Sequence, residues 1–374
     1  MNVGIVMPAA EQRGGAEKYL LDMIRAGRNS DIKWLVILLE AGPMEAQIAE
    51  MGVRVEVIPA KKFSNIGDSL SVAWKIRAFC RENDVRFLIG WMTKGHIYGS
   101  LSRVLGNPAS PILFQHGYSE HPEGFDKLAL SMPISGVLSC SQFTLDSQMG
   151  QLNNKVRGFV AYPGVEVTQY SANVLPSPEE CRAKLGLPAR VPLIGTVGRL
   201  QRWKGMHTLV DALPKIHVRY PDAQVVLVGG EHSLEPDYKP FLEKRIRDAG
   251  LEEKVHLVGL QRNIAEWMQA MSVFVHASDV EPFGMVVIEA MALGKPVIAG
   301  TKGGPREVIT DGEDGLFAGF EDADAVAAGV IRYLDDPTWA KQVSEKARVR
   351  AQDFSMEHCA ARVIAALHAF AGAK

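Results

Sequence analysis

Short apolar runs alternate with longer amphipathic segments along the whole chain. Such runs, bounded by polar turns, predict buried strands, and the longer segments predict the helices that cover them. In the first half, the predicted strands are Val3–Met7, Lys33–Leu39, Val53–Ile58, Phe87–Trp91, Ile112–Gln115 and Val137–Cys140, with helices that include Ala16–Arg28 and Ser69–Asn83. This order is typical of a parallel sheet with helices on both faces.

A second series follows a proline-rich stretch, Tyr162–Pro192, which predicts an interdomain linker. Its predicted strands are Leu193–Val197, Gln224–Val228, Val255–Val258, Val273–His276 and Pro296–Ala299, and its helices include Met206–Tyr220, Pro240–Ala249, Ile264–Met271 and Met285–Leu293. The pattern therefore predicts an α/β protein of two doubly wound, Rossmann-like domains, residues 1–170 and 171–355. Ligands of such sheets bind beyond the carboxyl ends of the strands, so candidate site residues are sought there.

The composition of the chain excludes several classes of protein function. The chain of 374 residues has 41 Lys and Arg against 43 Asp and Glu, a formal net charge of −2, so we expect no nucleic-acid partner. Its four cysteines stand singly, without CxxC pairs or His ligand spacing, so we expect neither a metal site nor disulfides. The N-terminus reads as a strand, and no apolar run approaches the ~18–20 residues of a membrane span, which favours a cytoplasmic protein.

Two glycine-containing turns are candidates for binding an anion. Gly14 and Gly15 follow the first strand and open a helix, where free N–H groups favour phosphate; a plain strand-to-helix turn is the alternative. The loop that starts at Gly198 carries Arg199 and Lys204, whose cations can converge on one diphosphate and stabilise it as a leaving group. The alternative for this loop is a solvated basic surface.

The most informative segment runs from Glu281 to Glu289. Glu281 lies in the loop after a buried strand, where a substrate can meet it. Glu289 lies in a helix that is otherwise apolar, so we expect it to be buried and to need donors, such as the hydroxyls of a ribose. A structural Lys, Arg or backbone partner would satisfy it equally. At the start of that helix, backbone N–H groups come from Phe283, Gly284 and Met285.

A single histidine, His116, follows the strand that ends at Gln115. A lone histidine is often structural, and no companion ligands suggest a metal. Its place at the carboxyl end of a strand nevertheless makes it a candidate site residue.

Taken together, these motifs resemble those of glycosyltransferase family 4, retaining enzymes of the GT-B fold, in which two Rossmann-like domains face each other across a deep cleft. The resemblance covers essentially the whole chain, and its specific part is the pair of glutamates in the E-x7-E spacing. It departs from the family at 162–166, where Tyr-Pro-Gly-Val-Glu stands for the usual NGVD. Further matching stretches are Lys295–Ala299, Gly303–Glu307 and Asp311–Phe317.

The resemblance implies roles for these residues. Arg199 and Lys204 would hold the diphosphate of a nucleotide-sugar donor, Glu281 would meet the transferred sugar, and Glu289 would bind the ribose. His116 would lie near the sugar and the acceptor. The remaining implied donor contacts are Gly15, Gly198, Phe283, Gly284 and Met285 near the diphosphate and sugar, and Gly229, Val258 and Gly259 around the base.

On the acceptor side, the first domain would contribute Gly14, His116 and Lys94, and helix 356–374 would pack back on that domain. The acceptor would be a glycan, a lipid-linked sugar or a small molecule, and Lys61, Lys62 and Lys94 leave open a peripheral contact at the inner face of a membrane.

The implied reaction is front-face transfer of a hexose of glucose, N-acetylglucosamine or mannose type, without a metal or other cofactor. UDP is preferred as the nucleotide on family frequency alone. A nucleotide-sugar epimerase of the same fold and a non-catalytic nucleotide-sugar binding protein are the alternatives.

Overall fold

The apolar runs form two parallel sheets in the computed structural model, which describes residues 1–11, 15–61, 63–118, 120–152, 155–171 and 174–372. The chain divides into two compact units. Unit 1 consists of Met1–Gly164 together with Met356–Lys374, and unit 2 consists of Val165–Ser355. The units thus divide at Gly164, whereas the sequence pattern placed the boundary after residue 170.

Unit 1 contains a seven-stranded sheet, counted over the described residues, in the order β3-β2-β1-β4-β5-β6-β7. The strands are β1 (Asn2–Met7), β2 (Lys33–Leu38), β3 (Arg54–Val57), β4 (Phe87–Trp91), β5 (Ser110–Gln115), β6 (Gly136–Ser139) and β7 (Arg157–Val160). The helices between them are α1 (Gly15–Gly27), α2 (Met44–Glu50), α3 (Ile66–Glu82), α4 (Met92–Val104), α5 (Gly124–Ser131) and α6 (Gln142–Gln151). All pairs in this sheet are parallel, so the segments that follow β4 and β5 lie at one edge.

Unit 2 contains a six-stranded parallel sheet, again over the described residues, in the order β10-β9-β8-β11-β12-β13. The strands are β8 (Leu193–Val197), β9 (Gln224–Val228), β10 (Val255–Gly259), β11 (Val273–His276), β12 (Val297–Ala299) and β13 (Leu316–Phe317). The helices are α7 (Pro178–Leu185), α8 (Met206–His217), α9 (Tyr238–Asp248), α10 (Ile264–Ala270), α11 (Met285–Ala292), α12 (Pro305–Val308), α13 (Ala323–Asp335) and α14 (Pro337–Ala351). The loops after β8, β9 and β11 therefore share one edge of this sheet.

The proline-rich stretch is not a linker throughout, which corrects the sequence interpretation. Pro178 is the first residue of α7, where its missing N–H costs nothing, and Ser177 and Glu180 form a capping box around it. Arg182 of this helix is buried, and its guanidinium donates to the carbonyl of Ala270 at 2.8 Å. Proline here starts a helix of unit 2.

The chain's last helix, α15 (Met356–Gly372), belongs to unit 1. Cys359 donates its thiol hydrogen to the buried hydroxyl of Tyr19 in α1, with 3.0 Å between sulfur and oxygen. Phe370 packs edge-on against Phe159 of β7. In the part of the chain that the structure describes, no helix is both long and apolar enough to span a bilayer.

Candidate functional site

Close backbone approach defines the start of the loop after β8. The N–H of Gly198 donates to the carbonyl of Val228 at the end of β9, at 3.0 Å. At Gly229, a Cβ atom would lie 1.7 Å from the carbonyl oxygen of Gly198. Only glycine permits this spacing, so Gly198 and Gly229, both predicted donor contacts, bring two strand ends together.

The end of the same loop lies against the residues that follow strand β11. Residues Arg202–Lys204 form a 3₁₀ turn that ends at Gly205, where φ is +68°. A Cβ on Gly205 would lie 1.9 Å from the carbonyl oxygen of Ala277, and the N–H of Asp279 donates to the carbonyl of Trp203 at 2.8 Å. These backbone contacts place Lys204 beside the loop that carries Glu281.

Lys204 and Glu281 form a largely buried ion pair. Lys204 Nζ donates to Glu281 Oε2 at 2.6 Å, and the two side chains are 13% and 9% exposed. The ammonium group also lies 4.1 Å from the ring centroid of Trp203. An ammonium group has three N–H donors, so the bond to Glu281 leaves two of them for another acceptor.

A third side chain, His276, completes this group. It is the last residue of β11, is buried, and its Nε2 lies 2.7 Å from Glu281 Oε2. Burial by itself raises the pKa of Glu281, but the charge of Lys204 and the hydrogen bond from His276 lower that pKa to about 2. Glu281 is therefore a carboxylate at neutral pH.

Arg199 is held only loosely. The residue is exposed, and its Nη1 lies 3.2 Å from Nε2 of His232. The other nitrogen of this imidazole faces the N–H of Leu234 at 3.3 Å. An imidazole ring has at most one nitrogen that can accept a hydrogen bond, so it cannot satisfy both donors. The guanidinium can therefore turn towards an anion at little cost.

Arg202, its neighbour in the loop, is engaged elsewhere. It forms an ion pair with Asp237, and its guanidinium lies 4.7 Å from the ring centroid of Phe241. Of the three cations between Gly198 and Gly205, Arg202 is thus the one whose charge is paired with an exposed carboxylate, that of Asp237.

The helix after Glu281 begins as predicted but buries Glu289 less than predicted. Gly284, with φ +100°, precedes α11, and Phe283 beside it is buried. Met285 and Glu289 are both only half-buried. The helix buries its other face, so the expectation of a fully buried carboxylate at Glu289 was wrong, although the residue does lie one turn into the helix.

The ends of β9 and β10 are bonded to each other at the predicted base-binding wall. The N–H of Gly229 donates to the carbonyl of Gly259 at 2.9 Å. The carbonyl of Val258 accepts from the side-chain amide of Gln261 at 2.7 Å. Backbone groups of Gly229, Val258 and Gly259 therefore make up this edge.

In unit 1, His116 lies among aromatic rings. Its ring centroid is 4.6 Å from that of Trp91, 4.3 Å from Phe114 and 5.4 Å from Tyr19. Its Nε2 is buried and has no hydrogen-bond partner within the described ranges. Burial lowers the pKa of His116 to about 3, so the imidazole is neutral at physiological pH. A buried nitrogen without a partner is suited to a ligand hydroxyl.

A small pocket in unit 1 is lined by residues on either side of His116. Its lining includes Gln115 and Gly117 on either side of the histidine, and Thr93, which donates to Asp126 at 2.6 Å. Lys94 follows Thr93 in the first turn of α4 and is half-buried. Gly15 is the exposed first residue of α1. Gly14 and Lys62 lie outside the described residues.

The structure therefore brings together Lys204 and Glu281, which the sequence singled out, and adds His276, which it did not. His276 appeared in the sequence only as the end of a strand. The rule that selected His116, a histidine at the carboxyl end of a strand, would also have selected it. The described residues contain no cluster of three or more His, Cys, Asp and Glu side chains placed to hold a metal ion.

Comparison with known families identifies part of unit 2. Residues 177–350 match the model of the family described as glycosyl transferases group 1, and this segment contains Arg199, Lys204, Glu281 and Glu289. This segment of unit 2 is therefore similar to the glycosyl transferases group 1 family.

Curated relatives carry related names. The chain is 30% identical over 223 residues, 59% of its length, to the D-inositol 3-phosphate glycosyltransferase of Corynebacterium urealyticum, of which 53% is covered. It is also 30% identical over 192 residues, 50% of its length, to the lipopolysaccharide core biosynthesis mannosyltransferase LpsB of Rhizobium meliloti, of which 54% is covered. The chain spans about half the length of the curated relatives it matches.

Among solved structures, the chain is similar to HepE of Anabaena in complex with UDP. The TM-score is 0.84 at 25% sequence identity, over 99% of this chain and 100% of HepE. HepE has also been crystallised with UDP and glucose and with UDP-glucose. The predicted fold class, two Rossmann-like α/β halves of the GT-B type, is confirmed by these matches.

Proposed function

We propose that this chain is a retaining glycosyltransferase that moves a hexose from a UDP-sugar to an acceptor hydroxyl, in the biosynthesis of a glycan or lipopolysaccharide. The observation that carries the proposal is the Lys204–Glu281 pair at the carboxyl edge of the unit 2 sheet, within the segment similar to the glycosyl transferases group 1 family. A cation for a diphosphate and a carboxylate for sugar hydroxyls are side by side there.

Arg199 and Lys204 bind the donor diphosphate in this proposal. Lys204 keeps two N–H donors beyond its bond to Glu281, and within the described part of the chain the one side-chain hydrogen bond of Arg199 is an exposed contact with His232. Charge builds up on the diphosphate as the sugar leaves, so these cations stabilise the transition state more than the ground state. This is also why we propose that the reaction needs no metal ion.

Glu281 and Glu289 bind the two sugars of the donor. Over the described residues, both side-chain hydrogen bonds of Glu281 go to Oε2, so its Oε1 is the oxygen offered to hydroxyls of the transferred hexose. Glu289, half-buried one turn into α11, receives the hydroxyls of the ribose. The N–H groups of Phe283, Gly284 and Met285 border the sugar, and the backbone at Gly229, Val258 and Gly259 borders the base.

The choice of UDP is supported by HepE, which shares 25% of its residues with this chain and has been crystallised with UDP. Sugar transfer in lipopolysaccharide biosynthesis is supported by LpsB, which is a lipopolysaccharide core biosynthesis mannosyltransferase.

The chemistry we propose is front-face substitution. The bond between C1 of the hexose and the diphosphate oxygen breaks, and a bond from C1 to the acceptor oxygen forms on the same face. The proton of the acceptor hydroxyl passes to the departing phosphate oxygen. The protein contributes positioning and charge stabilisation, because it supplies no nucleophile in this scheme.

Residues of unit 1 serve the acceptor side. The unpartnered, neutral Nε2 of His116 is suited to a hydroxyl of the sugar or acceptor, and Gly14, Gly15 and Lys94 are the proposed neighbours of the diphosphate and acceptor. We also propose that the acceptor is a glycan, a lipid-linked sugar or a small molecule, met in the cytoplasm or at the inner face of a membrane.

The test is a thermal-shift panel with UDP-, GDP- and ADP-sugars in the presence of EDTA. A ligand at 100 times its dissociation constant stabilises a protein by about 2.7 kcal/mol, enough to raise the melting temperature measurably. We expect UDP-sugars to raise it and Glu289→Ala to abolish the rise.

Product analysis then separates transfer from the alternatives. A transferase releases UDP faster when an acceptor is present and forms a glycoside with the donor's anomeric configuration. An epimerase converts the donor sugar without any acceptor. If the protein binds a UDP-sugar but releases no UDP with any acceptor tested, it is a non-catalytic binding protein, and the proposal is overturned.

A further inference from the structure

His276 contacts Glu281 from the buried side of the site. It ends strand β11 and is 1% exposed, and its backbone is fixed by register with Ala299 of β12 and by the bond from the N–H of Gly300 to its carbonyl at 2.9 Å. The imidazole is therefore held by the sheet itself. Its Nε2 reaches Glu281 Oε2 at 2.7 Å.

The hydrogen bond has a definite direction. Glu281 is a carboxylate and only accepts, so Nε2 of His276 is the donor. Burial lowers the pKa of His276, although the neighbouring carboxylate of Glu281 raises it, so the imidazole is neutral with its hydrogen on Nε2. Its Nδ1 is buried and has no partner among residues that the structure describes. The contact with Glu281 is thus the one hydrogen bond of this side chain over those residues.

The two donors converge on a single oxygen. Lys204 Nζ at 2.6 Å and His276 Nε2 at 2.7 Å both bind Oε2 of Glu281, and Oε1 accepts no hydrogen bond from any described residue. Two donors from different directions prevent rotation of the carboxylate. With only Lys204, whose long side chain is flexible, the carboxylate could turn and exchange its oxygens.

We propose that His276 is a positioning residue, which fixes the carboxylate of Glu281 so that Oε1 faces the hydroxyls of the transferred sugar. The role rests on the proposed function, since it requires a sugar bound at Glu281. His276 itself touches neither donor nor acceptor. Its loss should therefore weaken recognition of the sugar and leave recognition of the nucleotide unchanged.

The experiment compares two substitutions that differ in reach. Glutamine places its amide nitrogen close to the position of Nε2, whereas asparagine is one carbon shorter and cannot reach Glu281. Dissociation constants for UDP-glucose, UDP-N-acetylglucosamine and UDP are measured by calorimetry for the wild type, His276→Gln and His276→Asn. We expect the ratio of the UDP-sugar dissociation constant to the UDP dissociation constant to rise about tenfold in His276→Asn, because one hydrogen bond to a charged group is lost. In His276→Gln the same ratio should change less than about twofold.

His207 supplies a matched control. It is also a buried imidazole of unit 2, bound to the hydroxyl of Tyr238 at 2.9 Å, and it makes no contact with Glu281. His207→Asn should lower the melting temperature without changing the ratio. In a Glu281→Ala background, His276→Asn should change the ratio no further, because its effect passes through that carboxylate.

Each outcome has one meaning. Equal ratios in the wild type and His276→Asn, or equal losses in His276→Asn and His276→Gln, would overturn the positioning role while leaving the proposed function intact. A wild-type protein that binds none of these UDP ligands would overturn the proposed function, and the positioning role with it. If His276→Asn does not fold, the role is tested with His276→Gln and with the Glu281→Ala background. A ratio of the UDP-sugar constant to the UDP constant that rises in His276→Gln as much as in Glu281→Ala contradicts the positioning role.

Discussion

Lys204 Nζ lies 2.6 Å from Glu281 Oε2, and neither side chain is more than 13% exposed. Each charge in such a pair depends on the other, because a buried ion without its partner keeps its desolvation cost and loses its compensation. The pair should therefore have two separable contributions, one to stability and one to catalysis.

We predict that Lys204→Met and Glu281→Gln each lower the free energy of unfolding, by about 3 kcal/mol for the lysine substitution, which leaves a carboxylate unpaired. The double variant Lys204→Met/Glu281→Gln should recover much of this loss, because no buried charge remains. Urea unfolding of the three variants measures the effect.

Turnover should respond differently. We expect Lys204→Met to lose on the order of 10²–10³ in kcat, the cost of removing one transition-state donor. Glu281→Gln, which removes the carboxylate proposed to accept from the sugar hydroxyls, should also lower kcat, and the double variant should recover none of the loss. Recovery of turnover in parallel with stability would show that the pair is structural only.

Much of the fold follows from the periodicity of the chain, and part of the site does not. Strands Phe87–Trp91 and Val273–His276 have the predicted bounds because parallel strands covered on both faces form unbroken apolar runs. Helix α7 was missed because prolines were read as breaks, although Pro178 starts a helix. Glutamate spacing identified Glu281, but burial of Glu289 depends on which face of α11 packs, and the sequence of an apolar helix does not encode that face.

His276 illustrates a second limit. Its place at the end of a predicted strand makes it a candidate, but the sequence does not show its role, which comes from a contact with a residue in the following loop. The same holds for Gly205 and Ala277, whose close approach joins two loops that are far apart in the chain.

Acid should destabilise the protein partly through Glu281. Its pKa is lowered to about 2 in the folded protein, against 4.5 as the ordinary value, so its contribution to stability is present above pH 4.5 and is lost as the pH falls towards 2. Relative to Glu281→Gln, the wild type should lose about 2 kcal/mol of unfolding free energy between pH 6 and pH 3. Urea midpoints at these two pH values measure the difference, and parallel pH curves for both proteins would contradict it.

His116 should make stability depend on pH at higher pH values than Glu281 does, because it is a buried base that is neutral in the folded protein. Burial lowers its pKa to about 3 from 6.5, so its stabilising contribution is present above pH 6.5 and is lost as the pH falls towards 3. Between pH 7 and pH 5, the free energy of unfolding of the wild type should therefore fall by about 2 kcal/mol more than that of His116→Phe, which keeps the aromatic packing. His96, whose pKa burial lowers to about 4, is present in both proteins and cancels in the comparison.

The same variant tests the role of His116 in the reaction. We expect His116→Phe to lower kcat about 10²-fold through lost positioning of the reacting groups, with the affinity for UDP unchanged. Steady-state kinetics and calorimetry with UDP check both halves, and an unchanged kcat would assign His116 to the aromatic core alone.

Transfer should not depend on a divalent metal, because Arg199 and Lys204 supply the charge that stabilises the leaving diphosphate. UDP release in the presence of acceptor should be the same, within about twofold, after dialysis against EDTA and after addition of Mg²⁺ or Mn²⁺. A rate that falls in EDTA and returns with Mn²⁺ would contradict the assignment of these cations.

Gly205 offers the sharpest test of how the loops are assembled, because the chain contains a near-identical glycine without its neighbour. Gly205 and Gly186 both have φ +68°, but a Cβ on Gly205 would lie 1.9 Å from the carbonyl oxygen of Ala277, whereas nothing lies within 4 Å of one on Gly186. Alanine at Gly186 should cost about 1 kcal/mol, the strain of a left-handed conformation, and leave kcat unchanged. Alanine at Gly205 adds a backbone clash that must push Lys204 away from Glu281, so we expect kcat to fall at least 10²-fold as well. Unfolding and turnover measured on both variants separate backbone strain from displacement of Lys204. Equal turnover in the two variants would mean that the contact at Ala277 does not position Lys204.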